Sequence, residues 1–387
     1  MRTMSDTIAR LAALRRQHGA HLPGEHAPDR LSTLTGFGSN PGGLTSRFYL
    51  PPNLPQGAPL VVVLHGCSQT AAAYDHRSGW SQLADEAGFA LLYPEQHGGN
   101  NPNLCFNWFV PHDTRRDAGE VLSVRQMIET MVETHGLDRS RIFITGLSAG
   151  GAMAAAMLAT YPEVFAGGGI IAGLPFGLAT TVPEAFDLMR GAGSVSDEAL
   201  GSLVREASAH PGPWPKIAIW HGSADMTVVP SNAETIAAQW RSAQDLDELP
   251  TQSDQSGGHS RRIWANTQGE AVIELNTIAA MGHGTPLSAD LGVAGPYMLD
   301  VGISSTREIA RFWGIASAQE PAVAGSVPLP VQEQPTAVSV PAVRTFGTDR
   351  PLDEAHPLDP RTTQSMPDVF GVQKTIETAL RAAGLMR

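Results

Sequence analysis

The sequence predicts an α/β protein with a mostly parallel central sheet and helices on both faces of that sheet. Two observations lead to this prediction. Short apolar runs rich in β-branched residues alternate with segments whose apolar residues recur at helical spacing. One of these runs, Leu60 to Leu64, is apolar at every position, which is typical of a strand buried on both faces of a sheet.

The predicted strands share this apolar character and end at turn-forming residues. The strand that begins at residue 46 stops before Pro51, and the one that begins at residue 89 stops at Pro94. Strands are predicted at residues 46–50, 60–64, 89–93, 141–145, 217–220, 263–265 and 271–275.

The predicted helices are bounded by caps. One helix spans residues 78–87, and another, further along the chain, ends at Gly136. An Ala- and Met-rich helix runs from Ala149 to Thr160. Ser305 and Glu308 form a capping box that begins the last helix of the main domain.

The chain divides into four parts. Residues 45–315 form the main domain; within it, residues 174–215 are rich in Gly and Pro and form an excursion where substrate-shaping loops are common. Residues 1–44 are predicted to hold an amphipathic helix and a loop, residues 316–366 a Pro-rich linker or tail, and residues 367–387 a second amphipathic helix.

Charge and composition exclude several classes of function. The 387 residues carry a net charge of -12 without a basic run, so a nucleic-acid partner is not expected. No apolar stretch reaches the ~20 residues of a membrane span, and no CxxC or HExxH motif indicates a metal site. The composition specifies no oligomeric state.

The N-terminus lacks the continuous apolar core of a secretory signal, which favours a cytoplasmic location. The chain has two cysteines, Cys67 and Cys105. Two cysteines can form one disulfide or remain two buried thiols, and the lack of a signal sequence favours thiols.

The segment Gly146-Leu147-Ser148-Ala149-Gly150 matches G-x-S-x-G, with a predicted strand directly before it and a predicted helix directly after it. A sharp strand-to-helix turn strains the serine backbone, and the glycines let neighbouring segments approach closely. The helix N-terminus then offers free N–H groups to an oxyanion. Ser148 is therefore the candidate nucleophile of an α/β-hydrolase.

A serine nucleophile needs a histidine base and an orienting carboxylate, which follow in the order Ser, acid, His in this fold. His283 lies in a Gly-flanked loop after the last apolar strand, and Asp225 follows a buried strand. These two residues complete the predicted triad. His65 and His221 both end strands as His-Gly and are interpreted as loop supports.

The predicted oxyanion hole consists of two backbone N–H groups, those of Ala149 and Cys67, with Ser68 as the fallback for Cys67. Trp108 and Ser68 are the candidate substrate-binding side chains. Trp108 fits two interpretations equally, a platform for a polyester or aromatic acyl group and a half-buried packing residue.

Six strings in fixed order resemble the esterase family of the short-chain poly(3-hydroxyalkanoate) depolymerases, which is related to carbohydrate esterases acting on acetylxylan and feruloyl groups. The resemblance spans residues 45–315. The strings are L-H-G-C-S-Q-T, L-Y-P-E-Q, N-P-N-L-C-F-N-W-F, G-L-S-A-G-G-A-M, H-G-S-A-D-M-T-V-x-P and G-H-G-T-P.

The resemblance implies an α/β-hydrolase fold, no cofactor, and hydrolysis of short-chain hydroxyalkanoate esters with Ser148, Asp225 and His283 as the triad. It also implies a disulfide between Cys67 and Cys105, against the expectation from composition. The alternatives are a carbohydrate esterase that removes acetyl or feruloyl groups and, from another class, a non-catalytic polymer-binding protein.

The chain departs from this family pattern in three respects. Secreted members carry a signal peptide and a separate polymer-binding domain, which are not seen here, so extracellular and cytoplasmic locations both stay open. Many relatives have Trp-Pro after the catalytic histidine where this chain has Gly284-Thr285-Pro286, which predicts a more open pocket rim. The two terminal segments lie outside the shared region. Together these departures favour oligomers or small esters over insoluble polymer.

Overall fold

The computed structural model describes residues 29–193 and 195–317. The predicted terminal helices and nearly all of the Pro-rich segment lie outside these ranges. No helix within them is long and apolar enough to cross a membrane.

A ten-stranded sheet forms the centre of the fold, beside a small sheet of two strands. In chain order the strands are β1 (Ser32–Thr33), β2 (Thr45–Tyr49), β3 (Leu60–Leu64), β4 (Ala90–Glu95), β5 (Ile142–Leu147), β6 (Gly167–Ile171), β7 (Lys216–Gly222), β8 (Gln252–Ser256), β9 (His259–Ala265), β10 (Ala271–Ile278), β11 (Thr285–Leu287) and β12 (Met298–Asp300).

The order across the large sheet is β1-β2-β4-β3-β5-β6-β7-β10-β9-β8. The central strands from β4 to β10 pair in parallel, and the two strands at each end pair antiparallel. The predicted mostly parallel sheet is therefore confirmed. Its parallel part brings the carboxyl ends of β3, β5, β7 and β10 to one edge.

Helices cover both faces of the sheet. They are α1 (Ala71–Ser78), α2 (Trp80–Ala87), α3 (Pro111–Thr114), α4 (Gly119–His135), α5 (Ala149–Thr160), α6 (Val182–Met189), α7 (Asp197–Glu206), α8 (Ser231–Ala243) and α9 (Ser305–Phe312).

Strand β3 shows why its sequence is apolar throughout. Its side chains alternate between the faces of the sheet, as the strand period of two residues requires. Leu60, Val62 and Leu64 belong to the core formed with α4, α5, α7 and α8. Val61 and Val63 belong to the core formed with α1, α2 and α9. All five side chains are fully buried, as predicted.

Three boundaries differ from the predictions. Strand β4 continues through Pro94 instead of ending there. The helix predicted at residues 78–87 begins only at Trp80, because Gly79 adopts φ 75° and separates it from α1, a helix that was not predicted. The hydroxyl of Ser304, not Ser305, caps α9, whereas the Ser305 hydroxyl donates to a carbonyl of β11.

Strand β6 is not predicted from the sequence, because it begins with three glycines and therefore lacks a hydrophobic pattern. A Cβ atom on Gly168 would lie 2.2 Å from the side chain of Leu158 in α5. A Cβ atom on Gly169 would lie 2.9 Å from the Thr145 hydroxyl on β5. Gly168 thus allows α5, the helix that follows Ser148, to lie close against the sheet, whereas Gly169 leaves room for Thr145 and for Ile309 of α9 on the opposite face.

Candidate active site

Ser148 lies at the turn between β5 and α5 and has the strained backbone that the motif predicts, with φ 56° and ψ -118°. Its N–H donates to the carbonyl of Ile171 at 2.9 Å. Steric contacts require glycine on both sides of Ser148. A Cβ on Gly146 would lie 2.4 Å from the Gly150 backbone, and a Cβ on Gly150 would lie 2.4 Å from the Leu64 carbonyl oxygen. The turn therefore tolerates no side chain at either position.

Asp225 follows the end of β7 and is buried. Its Oδ1 accepts backbone N–H bonds from Thr227 at 2.8 Å and Val228 at 2.9 Å. Its Oδ2 faces two imidazoles, those of His283 at 2.7 Å and His221 at 3.3 Å. Burial disfavours the charged form, but the hydrogen bonds from His221 and His283 outweigh it and hold the pKa of Asp225 well below its usual range.

His283 lies in the loop after β10, where its Nδ1–H donates to Asp225. Only 9% of its side chain is exposed. The ring of Tyr297 stands edge-on beside it, with 6.1 Å between ring centres. A half-buried tyrosine thus borders the imidazole, and Thr285 is buried in β11, whereas the more open pocket rim stays a prediction.

Ser148, Asp225 and His283 follow the carboxyl ends of β5, β7 and β10, which lie at the same edge of the parallel part of the sheet. Functional residues of open α/β sheets occur at this edge. The structure therefore places the three predicted triad residues where this fold builds its sites.

The candidate oxyanion loop follows β3, the neighbour of β5. The Ser68 N–H donates to the Asn103 carbonyl at 2.8 Å, so it is engaged and the fallback donor is not available. In the described part of the chain, neither the Cys67 N–H nor the Ala149 N–H is hydrogen bonded to a protein acceptor. These two groups are the ones that could receive an oxyanion.

A disulfide joins Cys67 to Cys105, with their Cα atoms 4.2 Å apart. The expectation of free thiols from composition is therefore wrong, and the pairing implied by the family resemblance is present. The bridge ties the oxyanion loop to the loop that carries Trp108.

His65 supports the same loop, as predicted. Its Nε2 accepts from the Gln96 N–H at 3.1 Å, so its Nδ1 carries the proton that bonds the Gly66 carbonyl at 2.7 Å. Burial lowers the pKa of His65 to about 4. The ring therefore stays neutral and holds the oxyanion loop against the loop after β4.

A buried carboxylate that the sequence analysis missed organises the loop of residues 96–107. Glu120, at the start of α4, accepts from Gln96 Nε2 at 2.7 Å, Asn100 Nδ2 at 3.2 Å and the Asn107 N–H at 2.9 Å. Burial raises the pKa of Glu120 to about 8. No sequence pattern distinguishes a buried Glu that organises a loop from an exposed Glu on the polar face of an amphipathic helix.

Trp108 is half-buried and meets Phe109 edge-on, with ring centres 5.3 Å apart. Both rings pack against a small apolar cluster that includes Ala152 of α5, Leu174 of the excursion and Val228, three residues after Asp225. Trp108 thus packs beside the candidate site and retains an exposed part, which is compatible with both interpretations made from the sequence.

The sequence of the chain is similar to those of known esterases. A family model described as Esterase PHB depolymerase matches residues 44–258. Poly(3-hydroxyalkanoate) depolymerase C of Paucimonas lemoignei is 45% identical over 291 residues, which cover 74% of this chain and 70% of that protein. Acetylxylan esterase A of Emericella nidulans is 32% identical over 256 residues, which cover 62% of this chain and 83% of that protein.

Among solved structures, the acetyl xylan esterase from Aspergillus awamori superposes with a TM-score of 0.65 at 24% sequence identity. The match covers 74% of this chain and 99% of that one. This likeness shows the α/β-hydrolase fold.

Proposed function

This chain belongs to the esterase PHB depolymerase family, and we propose that it hydrolyses short-chain hydroxyalkanoate esters of the 3-hydroxybutyrate type through a Ser148-His283-Asp225 triad. The observation that carries the catalytic part is the strained backbone of Ser148, at the sheet edge that also bears the hydrogen-bonded pair of Asp225 and His283. The substrate class rests on the 45% identity to a poly(3-hydroxyalkanoate) depolymerase.

In the first half-reaction, Ser148 Oγ attacks the ester carbonyl carbon while His283 Nε2 takes the hydroxyl proton. Asp225 fixes the tautomer of His283 and stabilises the imidazolium that forms. The tetrahedral intermediate collapses to an acyl-enzyme, and the alcohol leaves with the proton from His283. In the second half-reaction, His283 deprotonates a water molecule that attacks the acyl-enzyme, which releases the acid and restores Ser148.

The oxyanion formed in both steps lies between the N–H groups of Ala149 and Cys67. Ala149 is the first residue of α5, so its N–H points out of the helix end and has no intrahelical acceptor. Cys67 is held by the disulfide and by the neighbouring bond from Ser68 to Asn103. Both donors are therefore positioned before substrate binds, which is what makes such a site effective.

A carbohydrate esterase that removes acetyl groups is the second candidate. It is favoured by the acetylxylan esterases that are about one-third identical to this chain and by the fold shared with the solved acetyl xylan esterase. Removal of feruloyl groups belongs to the same alternative. A non-catalytic polymer-binding protein is the least favoured, because such a protein has no use for a strained nucleophile.

A substrate panel tests the proposal. Hydroxybutyrate trimer, amorphous poly(3-hydroxybutyrate), acetylxylan and methyl ferulate are offered at equal ester concentration, and the released acid is quantified. We expect the trimer to be hydrolysed fastest, and the amorphous polymer more slowly. Release of acetate from acetylxylan as the dominant activity would favour the second candidate.

The nucleophile is tested separately. Ser148→Ala should abolish hydrolysis of p-nitrophenyl butyrate and labelling by a fluorophosphonate, whereas Ser140→Ala, at an exposed turn, should retain both. Circular dichroism confirms that both variants fold. Labelling or turnover that survives in Ser148→Ala would refute the assignment.

A further inference from the structure

We propose that His221 is a positioning residue of this active site: a neutral imidazole that donates to Asp225, holds its carboxylate toward His283, and limits how strongly that carboxylate stabilises the His283 imidazolium. The inference rests on the proposed triad. It adds a second histidine to the machinery, one that touches neither the substrate nor Ser148.

The geometry shows a shared oxygen. His221 lies in β7, is 1% exposed, and has its Nε2 3.3 Å from Asp225 Oδ2 and 2.8 Å from the Val228 carbonyl oxygen. The same Oδ2 accepts the Nδ1–H of His283 at 2.7 Å. Oδ1, in turn, is held by two backbone N–H groups. Three N–H groups therefore donate to the carboxylate, and the N–H of His221, which also bonds Val228, lies against the same Oδ2 as a fourth, weaker donor; together they oppose rotation of the carboxylate.

The protonation state of His221 follows from its neighbours. Both atoms that face its Nε2 are acceptors, so Nε2 must carry a proton. Its Nδ1 is buried and has no hydrogen-bond partner among the residues that the structure describes. A proton on Nδ1 would place a buried charge without an acceptor on that side, which is costly. His221 is therefore neutral and donates through Nε2.

A shared oxygen has a chemical consequence. Each donor to Oδ2 shares the same lone pairs and negative charge. The approach of the His221 N–H therefore weakens the hydrogen bond between Asp225 and the Nδ1–H of His283. Without His221, Asp225 would stabilise the His283 imidazolium more strongly. His283 would then be protonated, and so unable to act as a base, at higher pH than in the native enzyme.

The surroundings contain few other groups that could cause such an effect. In the described ranges Asp225 forms no ion pair with lysine or arginine; its charged-type partners are the two histidines. Tyr297 faces His283 from the loop before β12, and burial raises its pKa, so the phenol stays neutral. Ser148, at the turn between β5 and α5, lies at the same edge of the sheet.

The matching histidine of β3 makes different contacts. His65 also stands before a glycine at a strand end, but both its ring nitrogens bond backbone groups, one on Gly66 and one on Gln96. A role as loop support accounts for His65 fully. For His221 it accounts for the bond to Val228 but not for the approach to Asp225.

Two replacements of His221 separate donation from packing. His221→Phe keeps a ring and removes the donor, whereas His221→Gln keeps an N–H close to the position of Nε2. The readout is the pH profile of kcat/KM for p-nitrophenyl butyrate, whose acid limb reports the free enzyme's catalytic base. His259→Phe, on β9 beyond β10, is the matched control, since His259 bonds Asn276 and stacks on Trp220.

In His221→Phe we expect the acid limb to move to higher pH by about 0.5 to 1 unit, the equivalent of one ordinary hydrogen bond, and kcat to fall about tenfold. In His221→Gln and His259→Phe the limb should stay in place. Thermal unfolding shows which variants are folded. If His221→Phe does not fold, His221→Leu provides a smaller donor-free replacement.

An acid limb that stays at its native position in a folded donor-free variant would overturn the inference, even if kcat falls. An equal shift of the acid limb in His221→Gln would also overturn the inference. That variant keeps an N–H donor, so the shift could not result from loss of the donor. Failure of the triad itself looks different: Ser148→Ala would then retain activity, whatever His221 does.

Discussion

Removal of the Cys67–Cys105 disulfide tests the link between the stability of the fold and the oxyanion loop. The perturbation is the double variant Cys67→Ala/Cys105→Ala, compared with the native protein in the presence and absence of dithiothreitol. Because the Cys67 backbone is unchanged in the variant, its N–H group remains, and only the constraint on its position is lost.

The magnitude follows from the length of chain that the bridge closes. The two cysteines are 38 residues apart in sequence. The chain-entropy model gives about 4 kcal/mol for a loop of this length at 25 °C. The hydrogen bond from Ser68 to Asn103 holds the same two loops together and survives in the variant, so the loops should remain paired in the folded state.

Urea denaturation followed by circular dichroism measures the effect. We expect the free energy of unfolding to fall by about 3 to 4 kcal/mol. The kcat for p-nitrophenyl butyrate should fall by less than the ~10²–10³ expected for complete loss of one oxyanion donor. Dithiothreitol should destabilise the native protein and leave the double variant unchanged.

A loss of stability below about 1 kcal/mol would refute the reasoning, because the bridge would then not constrain the unfolded chain as its loop length requires. A native kcat in a destabilised variant would separate the two effects. The bridge would then act on stability alone, and the oxyanion loop would be held by its hydrogen bonds.

Four further predictions concern single residues. The pKa of Glu120 is raised to about 8 from its usual 4.5, so its contribution to stability is present at acid pH and is lost as the pH rises toward 8. The Tm of the native protein should therefore decline between pH 5 and pH 9, and Glu120→Gln should flatten that decline. Parallel curves of Tm against pH for the two proteins would contradict this. Asp225→Asn should lower kcat by about 10⁴ with KM nearly unchanged, since it disrupts the tautomer of His283, and a smaller effect than tenfold would remove Asp225 from the triad. Gly150→Ala should destabilise the protein by about 1–3 kcal/mol in urea, because its Cβ meets the Leu64 carbonyl oxygen, whereas Gly98→Ala, with open space around it, should be neutral. Trp108→Ala should raise KM for hydroxybutyrate trimer more than for p-nitrophenyl acetate if the ring contacts the substrate; equal changes in both, with a loss of Tm, would assign it to packing.

Much of the fold was predictable because its information is local. The strand β3 follows from its continuous apolar run, the helix α5 from its Ala- and Met-rich composition, and the pair of β9 and β10 from two apolar segments separated by a turn. Prediction failed where tertiary contacts override local preference. The three glycines of β6 form a central strand because neighbouring side chains fill the space beside them: Leu158 of α5 at Gly168, and Trp313 and Ile309 at Gly167 and Gly169. No periodic pattern records those contacts.

The candidate site divides in the same way. Ser148, Asp225 and His283 could be chosen from sequence because each directly follows a strand or lies in a glycine-flanked loop in the order that the fold requires. The roles of Glu120 and His221 could not be predicted from the sequence, because each depends on atoms that only the folded chain brings within a few ångströms.

The sequence by itself determined the class of fold, the strand-to-helix turn at Ser148 and the order of the three triad candidates, because these depend on local pattern and spacing. Only the tertiary structure decided that Cys67 and Cys105 form a disulfide, and that the Ser68 N–H is bonded whereas the Cys67 N–H has no acceptor among the described residues. It also brought two histidines to within 3.3 Å of Asp225. The physical reason is that hydrogen bonds and disulfides form over a few ångströms. Such distances between residues far apart in sequence are set by the packing of the whole sheet and its helices.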